Sequence, residues 1–168
     1  MPAAGVSDPL DWDEASRAVA DAYFPHELHP LTRSTAANVV VEGVVIEPVR
    51  IIHLCWGAPV TVDTTHAGGY AVSTAVSGRL ESLIGHNELV ATPDCATIYP
   101  PDTPACLRRW SASCRIVGVR FDRDYLHREI SRLLAEPSLR LSDHLPLETL
   151  RGHRAISNDP GRLITTAG

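Results

Sequence analysis

A chain of 168 residues with 44% apolar and 21% charged residues suits one folded domain and excludes disorder. Its net charge of -5 excludes a surface made for broad phosphate binding. All 15 basic residues are arginine, which reads as the coding bias of a GC-rich genome. No apolar run approaches the ~20 residues of a membrane span. Met1-Pro2-Ala3-Ala4 lacks the basic flank and apolar stretch of a secretory signal, so a cytoplasmic protein with no membrane partner is expected. Cys55, Cys95, Cys106 and Cys114 show no CxxC spacing, and most of them read as buried small hydrophobes.

The first predicted element is a helix. Ser7 or Asp8 caps it, Pro9 suits its first turn, and Asp11, Asp13 and Glu14 complement its dipole. Trp12, Ala15, Val19, Ala22 and Tyr23 share one face, and Pro25 ends the helix. His26 and His29 follow, bracketed by Pro25 and Pro30, and read as exposed loop histidines.

Strands are predicted over 39–47, with Gly43 marking a bulge or bend, and over 50–56. Residues 60–65 alternate, and Gly68-Gly69 turns the chain. Tyr70, Val72, Thr74 and Val76 alternate with Ala71, Ser73 and Ala75, giving one large and one small face. Further strands fall at 80–84, 88–91, 96–99, 105–110 and 114–121. About eight or nine short strands at this spacing, with no interleaved long helices, predict a mainly β sandwich or barrel. A second helix starts near Asp122, where Leu126, Ile130, Leu133 and Leu134 form an apolar stripe, and stops before Pro137. The organisation expected is a helix and lead-in over 1–30, the β domain over 31–121, a helix over 122–137 and a weakly structured tail over 138–168.

No set of residues assembles a catalytic or metal-binding pattern. His26 and His29 are three apart, not the four that a helical zinc pair requires, and no His-x-His occurs. There is no Gly-x-Ser-x-Gly elbow and no Gly-rich phosphate loop. No catalytic residue, metal ligand or cofactor is assigned. His53 stands out in the middle of an apolar strand, where a polar group must find a partner. It reads either as a core histidine bonded to backbone or as part of a ligand cavity. The candidate cavity set is His53, Cys55, Tyr70 and Thr74, with Trp110 at its mouth.

The order of landmarks resembles the N-terminal sensor domain of AraC/XylS-type transcription regulators. The segments that carry it are 23–31 (Tyr23-Phe24-Pro25-His26-Glu27-Leu28-His29-Pro30-Leu31), the strand ending in Trp56-Gly57, Gly69-Tyr70-Ala71-Val72 with Val76-Ser77-Gly78-Arg79, Ala91-Thr92-Pro93 with Ala96-Thr97-Ile98-Tyr99-Pro100, and Val117-Gly118-Val119-Arg120-Phe121-Asp122 running into Leu133-Leu134. The resemblance implies a cupin-like β-barrel or jelly roll, a small-molecule effector, and a homodimer through the helix bearing Leu126, Ile130, Leu133 and Leu134. It also implies that DNA is contacted only through a C-terminal pair of helix-turn-helix units. Nothing after Pro137 reads as such a pair, so this chain alone is not expected to bind DNA specifically. The alternatives are a small cupin-type metal-dependent enzyme using His53, His66 or His86, or a non-functional fragment of a regulator.

Overall fold

The computed structural model describes residues 10–135 and 150–151. In chain order the elements are β1 Leu10–Asp11, α1 Trp12–Ala22, β2 His26–Pro30, β3 Ala36–Ala37, β4 Val40–Ile46, β5 Val49–Cys55, β6 Val60–Thr64, β7 Gly69–Ser77, β8 Leu80–Ile84, β9 Asn87–Ala91, β10 Cys95–Tyr99, β11 Ala105–Trp110, β12 Arg115–Asp122, α2 Arg123–Leu133 and β13 Leu150–Arg151. The fold is mainly β, as expected, with α1 and α2 flanking the run of strands from β2 to β12. Ser7, Asp8 and Pro9 lie outside the described residues. The cap of α1 is Asp11, whose Oδ1 accepts from Glu14 N at 2.8 Å. Asp122 caps α2 in the same way, accepting from Tyr125 N at 2.9 Å. The tail expected over 138–168 also lies outside the described residues, apart from the backbone of β13, which pairs with β10.

Two antiparallel sheets enclose the core. One has the order β13-β10-β7-β12-β5-β4, the other β2-β6-β11-β8-β9. In the six-stranded sheet, Thr97, Ser73, Gly118, Ile52 and Gly43 lie in one cross-strand row. Ala75, Ile116, Leu54 and Val41 form the next row on the same face. These rows point inward, and all but Gly43 are buried. The alternate residues, including Val44, Ile51, Val119 and Val72, face outward. Trp56, Val60, Leu80, Tyr99, Leu107 and Trp110 fill the core between the sheets. Such close packing supplies most of the favourable folding free energy.

Two local expectations are corrected. His26 to Pro30 is not an exposed loop but the edge strand β2, paired with β6 from His26↔Thr64 to Pro30↔Val60. An edge strand tolerates Pro30, because a missing N–H costs nothing on an unpaired side. Gly43 marks no bulge: the β4–β5 register runs without a break. A Cβ there would lie 2.9 Å from Ile51 O, so the glycine permits close backbone approach. The bulges lie instead in β11, between Leu107 and Trp110, and at the start of β12.

Candidate functional site

The five residues expected to share a cavity do not all come together; His53 and Cys55 line one groove of about 220 Å³, and Tyr70, Thr74 and Trp110 are not part of it. His53 is exposed, because its row (Glu42, His53, Val117, Thr74) lies on the outer face of the six-stranded sheet. Cys55 shares that face and donates from Sγ to Ala112 O at 3.4 Å. Thr74 donates to Thr92 O at 3.1 Å. Tyr70, also outward, is covered by α2, where its hydroxyl meets His127 Nε2 at 3.3 Å. Only Trp110 reaches the interior; it is buried, and its Nε1 donates to Cys114 O at 3.1 Å. The alternation of β5 was right, but the covered face is that of Ile52 and Leu54.

The interior holds a cavity of about 30 Å³, lined from both sheets and from the end of α1. That is room for about one water molecule. Tyr23 and Phe24 close it from above, with ring centroids 4.7 Å apart. Phe24 meets His66 edge-on at 4.9 Å, and His66 stacks on Tyr99 at 4.6 Å. On the other side, Trp56 lies edge-on to His26 at 5.6 Å and to Trp110 at 6.2 Å. The cavity is therefore walled largely by rings, which suits it to flat apolar groups.

Three buried polar atoms lack a hydrogen-bond partner here: Tyr23 Oη, Trp56 Nε1 and His66 Nδ1. All three residues line the cavity. The Ser73 hydroxyl is near Tyr23 Oη but outside hydrogen-bonding geometry. Buried polar atoms are nearly always bonded, so three orphans around one space mark it as unusual. His66 also has a positive φ of 50°, a strained conformation for a residue with a side chain.

The site carries no formal charge at neutral pH. Burial pushes the His66 imidazole down to about 3 and the Tyr23 phenol well up. His26 is lowered as well, chiefly by burial. Its Nδ1 donates to Phe24 O at 2.9 Å, which leaves Nε2 to accept from Ser16 Oγ at 3.2 Å. Arginines act only at the rim. Arg120 donates to Tyr23 O at 3.0 Å and lies 4.6 Å over the Phe24 ring, while Arg50 donates to Asp21 O at 3.1 Å. They take up carbonyls at the end of α1, whose last turn has no basic residue of its own.

The turn that carries His66 is tied to α2. Gly69 N donates to His66 O at 3.2 Å, and Arg123 N donates to Gly68 O at 3.1 Å. Gly68 N donates to Asp102 Oδ1 at 3.0 Å, and Asp102 also pairs with the Arg123 guanidinium. The predicted α2 stripe is divided: Leu126 and Ile130 are half-buried, whereas Leu133 and Leu134 are exposed. The histidines suggested as metal ligands stand apart, with His53 on the outer face, His86 exposed in the β8–β9 turn and His66 inside. Among the described residues, no three His, Cys, Asp or Glu side chains converge on a point that could hold a metal ion. No described helix is long and apolar enough to cross a membrane.

A curated relative, "Probable thc operon regulatory protein" of Rhodococcus erythropolis, is 27% identical over 154 residues. The match covers 88% of this chain and 46% of that protein, so the chain spans about half the length of its relative. Among solved structures, the AraC-like transcriptional activator CuxR superposes with a TM-score of 0.53 at 12% identity. It covers 78% of this chain and 52% of CuxR, and shows a shared fold. The cupin domain of Cnp3 from Schizosaccharomyces pombe gives a TM-score of 0.43 at 9% identity, covering 55% of this chain and 71% of that one. Residues 15–166 match the model of the AraC-binding-like domain, and the chain belongs to that family.

Proposed function

We propose that this chain is the effector-binding part of a cytoplasmic transcription regulator, and that a small molecule binds inside the sandwich rather than at a catalytic centre. The observation that carries the reading is the ring-walled cavity with three unpartnered buried polar atoms, in a member of a regulator-domain family. A bound molecule displaces Phe24 and His66. The His66 turn passes the movement to α2 through Gly68, Asp102 and Arg123. Binding then selects between two settings of that helix. The exposed Leu133 and Leu134 extend the reading to a homodimer through α2. Contacts with DNA belong to residues outside the sandwich.

The test is calorimetry against a broad metabolite set, on the wild-type chain and on Val62→Leu. Val62 is buried and lines the cavity, so one added methylene fills it. A compound that binds wild type and not the variant supports the interior site. Binding that Val62→Leu leaves unchanged places the effector elsewhere and defeats the reading.

A further inference from the structure

We infer that the interior site selects an uncharged ligand bearing a hydrogen-bond acceptor, and that Trp56 Nε1 is the donor that recognises it. This deepens the effector reading above and rests on it. The relevant chemistry lies on the cavity wall. Trp56 is 0% exposed and comes from the end of β5 toward the cavity. An indole N–H donates and cannot accept. Its Nε1 has no acceptor in the protein, so the molecule that completes the site must bring one. Tyr23 Oη can donate or accept, and so can His66 Nδ1 according to its tautomer, so these two adapt to the rest of the ligand.

The charge of the cavity wall also limits the ligand. No lining side chain is a carboxylate, a guanidinium or an ammonium. Burial holds His66 neutral, and Tyr23 keeps its proton. An ionised ligand would therefore lose its hydration and meet no counter-charge inside. The nearest guanidinium, Arg120, is engaged at the rim with Tyr23 O and the outer side of Phe24. The cavity of about 30 Å³ admits a ring only when Phe24 withdraws. Phe24 joins α1 to β2 outside regular structure, so it moves without breaking a strand pair.

Three probes with one ring test the inference: benzamide, benzoate and benzylammonium, titrated by calorimetry at neutral pH into the whole chain. Benzamide is expected to bind at least a hundredfold more tightly than either ion. Trp56→Phe keeps the ring and removes the donor, and is expected to weaken benzamide about tenfold. Val62→Leu is expected to abolish its binding. If an ion binds as tightly as benzamide and Val62→Leu still blocks it, the class of ligand is overturned and the interior site stands. If benzamide binds equally to wild type and Trp56→Phe, the recognition donor is overturned. If none of the probes binds, the metabolite that binds in a Val62→Leu-sensitive way decides: an uncharged acceptor supports the class, and an ion or a molecule without an acceptor overturns it. If nothing binds in that way, the interior reading fails with it. The ratio of neutral to charged probe is read on the wild-type chain, so it stands even if a variant does not fold.

Discussion

His66 gives the sharpest test of the interior, because its side chain is both titratable and 3% exposed. Burial lowers the imidazole from 6.5 to about 3 in the folded chain. Above pH 6.5 the group is neutral in both states and adds no pH dependence. As pH falls below 6.5 the unfolded chain takes up a proton that the folded chain refuses. Stability is therefore lost as pH falls from 6.5 toward 3, at up to ~1.4 kcal/mol per pH unit. By pH 4.5 this one group costs about 3 kcal/mol. His66→Asn is the perturbation of choice, since asparagine tolerates the left-handed backbone at φ 50°. At pH 7.5 the variant loses the stack on Tyr99 and the edge contact with Phe24, a cost of about 1–3 kcal/mol. Urea unfolding of both proteins at pH 7.5, 6, 5 and 4.5 isolates the histidine, because every other titrating group is common to the two. The gap between the curves should close or reverse toward pH 4.5. Curves that run parallel over the whole range would refute the claim that burial holds His66 neutral.

Gly118→Ala places a Cβ 2.7 Å from Tyr23 Oη and 2.8 Å from its Cζ, so urea unfolding should show a loss of about 1–3 kcal/mol. His53→Ala, on the exposed outer face, should stay within about 0.5 kcal/mol of wild type in the same assay. Arg120→Met removes the hydrogen bond to Tyr23 O and the cation over Phe24. Its amide exchange should quicken at Tyr23 and Phe24 before it does so in β7 or β12. On the proposed homodimer through α2, wild type should sediment as a dimer and Leu133→Glu with Leu134→Glu as a monomer, with little change in melting temperature, because both side chains are exposed in the single chain.

The strands were legible because period-two alternation in size or polarity survives in them. In β7 it is an alternation in size, with small Ser73 and Ala75 inward and the larger Val76 outward. α2 was legible from Asp122 followed by an apolar stripe. β2 was missed because its two histidines, with Pro25 just before it and Pro30 at its end, look like a loop. Its strand character comes only from pairing with β6, a tertiary fact. His29 then finds Asp63 across that pair at 3.1 Å, a surface contact worth ~1 kcal/mol at most. The site was harder still. His66 stands just before the Gly68-Gly69 turn, where nothing in the sequence says that its ring turns inward to meet Phe24. No local pattern carries the direction of a side chain in a turn.

The misplacement of His53 has a more general physical cause. A half-buried strand announces its inner face by putting polar residues on the other one. β5 does not, since Ile52 and Leu54 lie on one side and Ile51 on the other. The outer row of Val44, Ile51, Val119 and Val72 carries no charge across four strands, so the solvent side resembles a core. In such a strand a lone histidine looks like an intrusion into the interior, when it lies on the one face that water reaches. The better clue lay in the small residues. Ser73 and Gly118 occupy one cross-strand row, and a row of small side chains in a sheet leaves space that something else must fill. Tyr23 fills it from the end of α1, its hydroxyl seated where a Gly118 side chain would be. The smallest residues of the six-stranded sheet therefore mark the inner face, and with it the cavity.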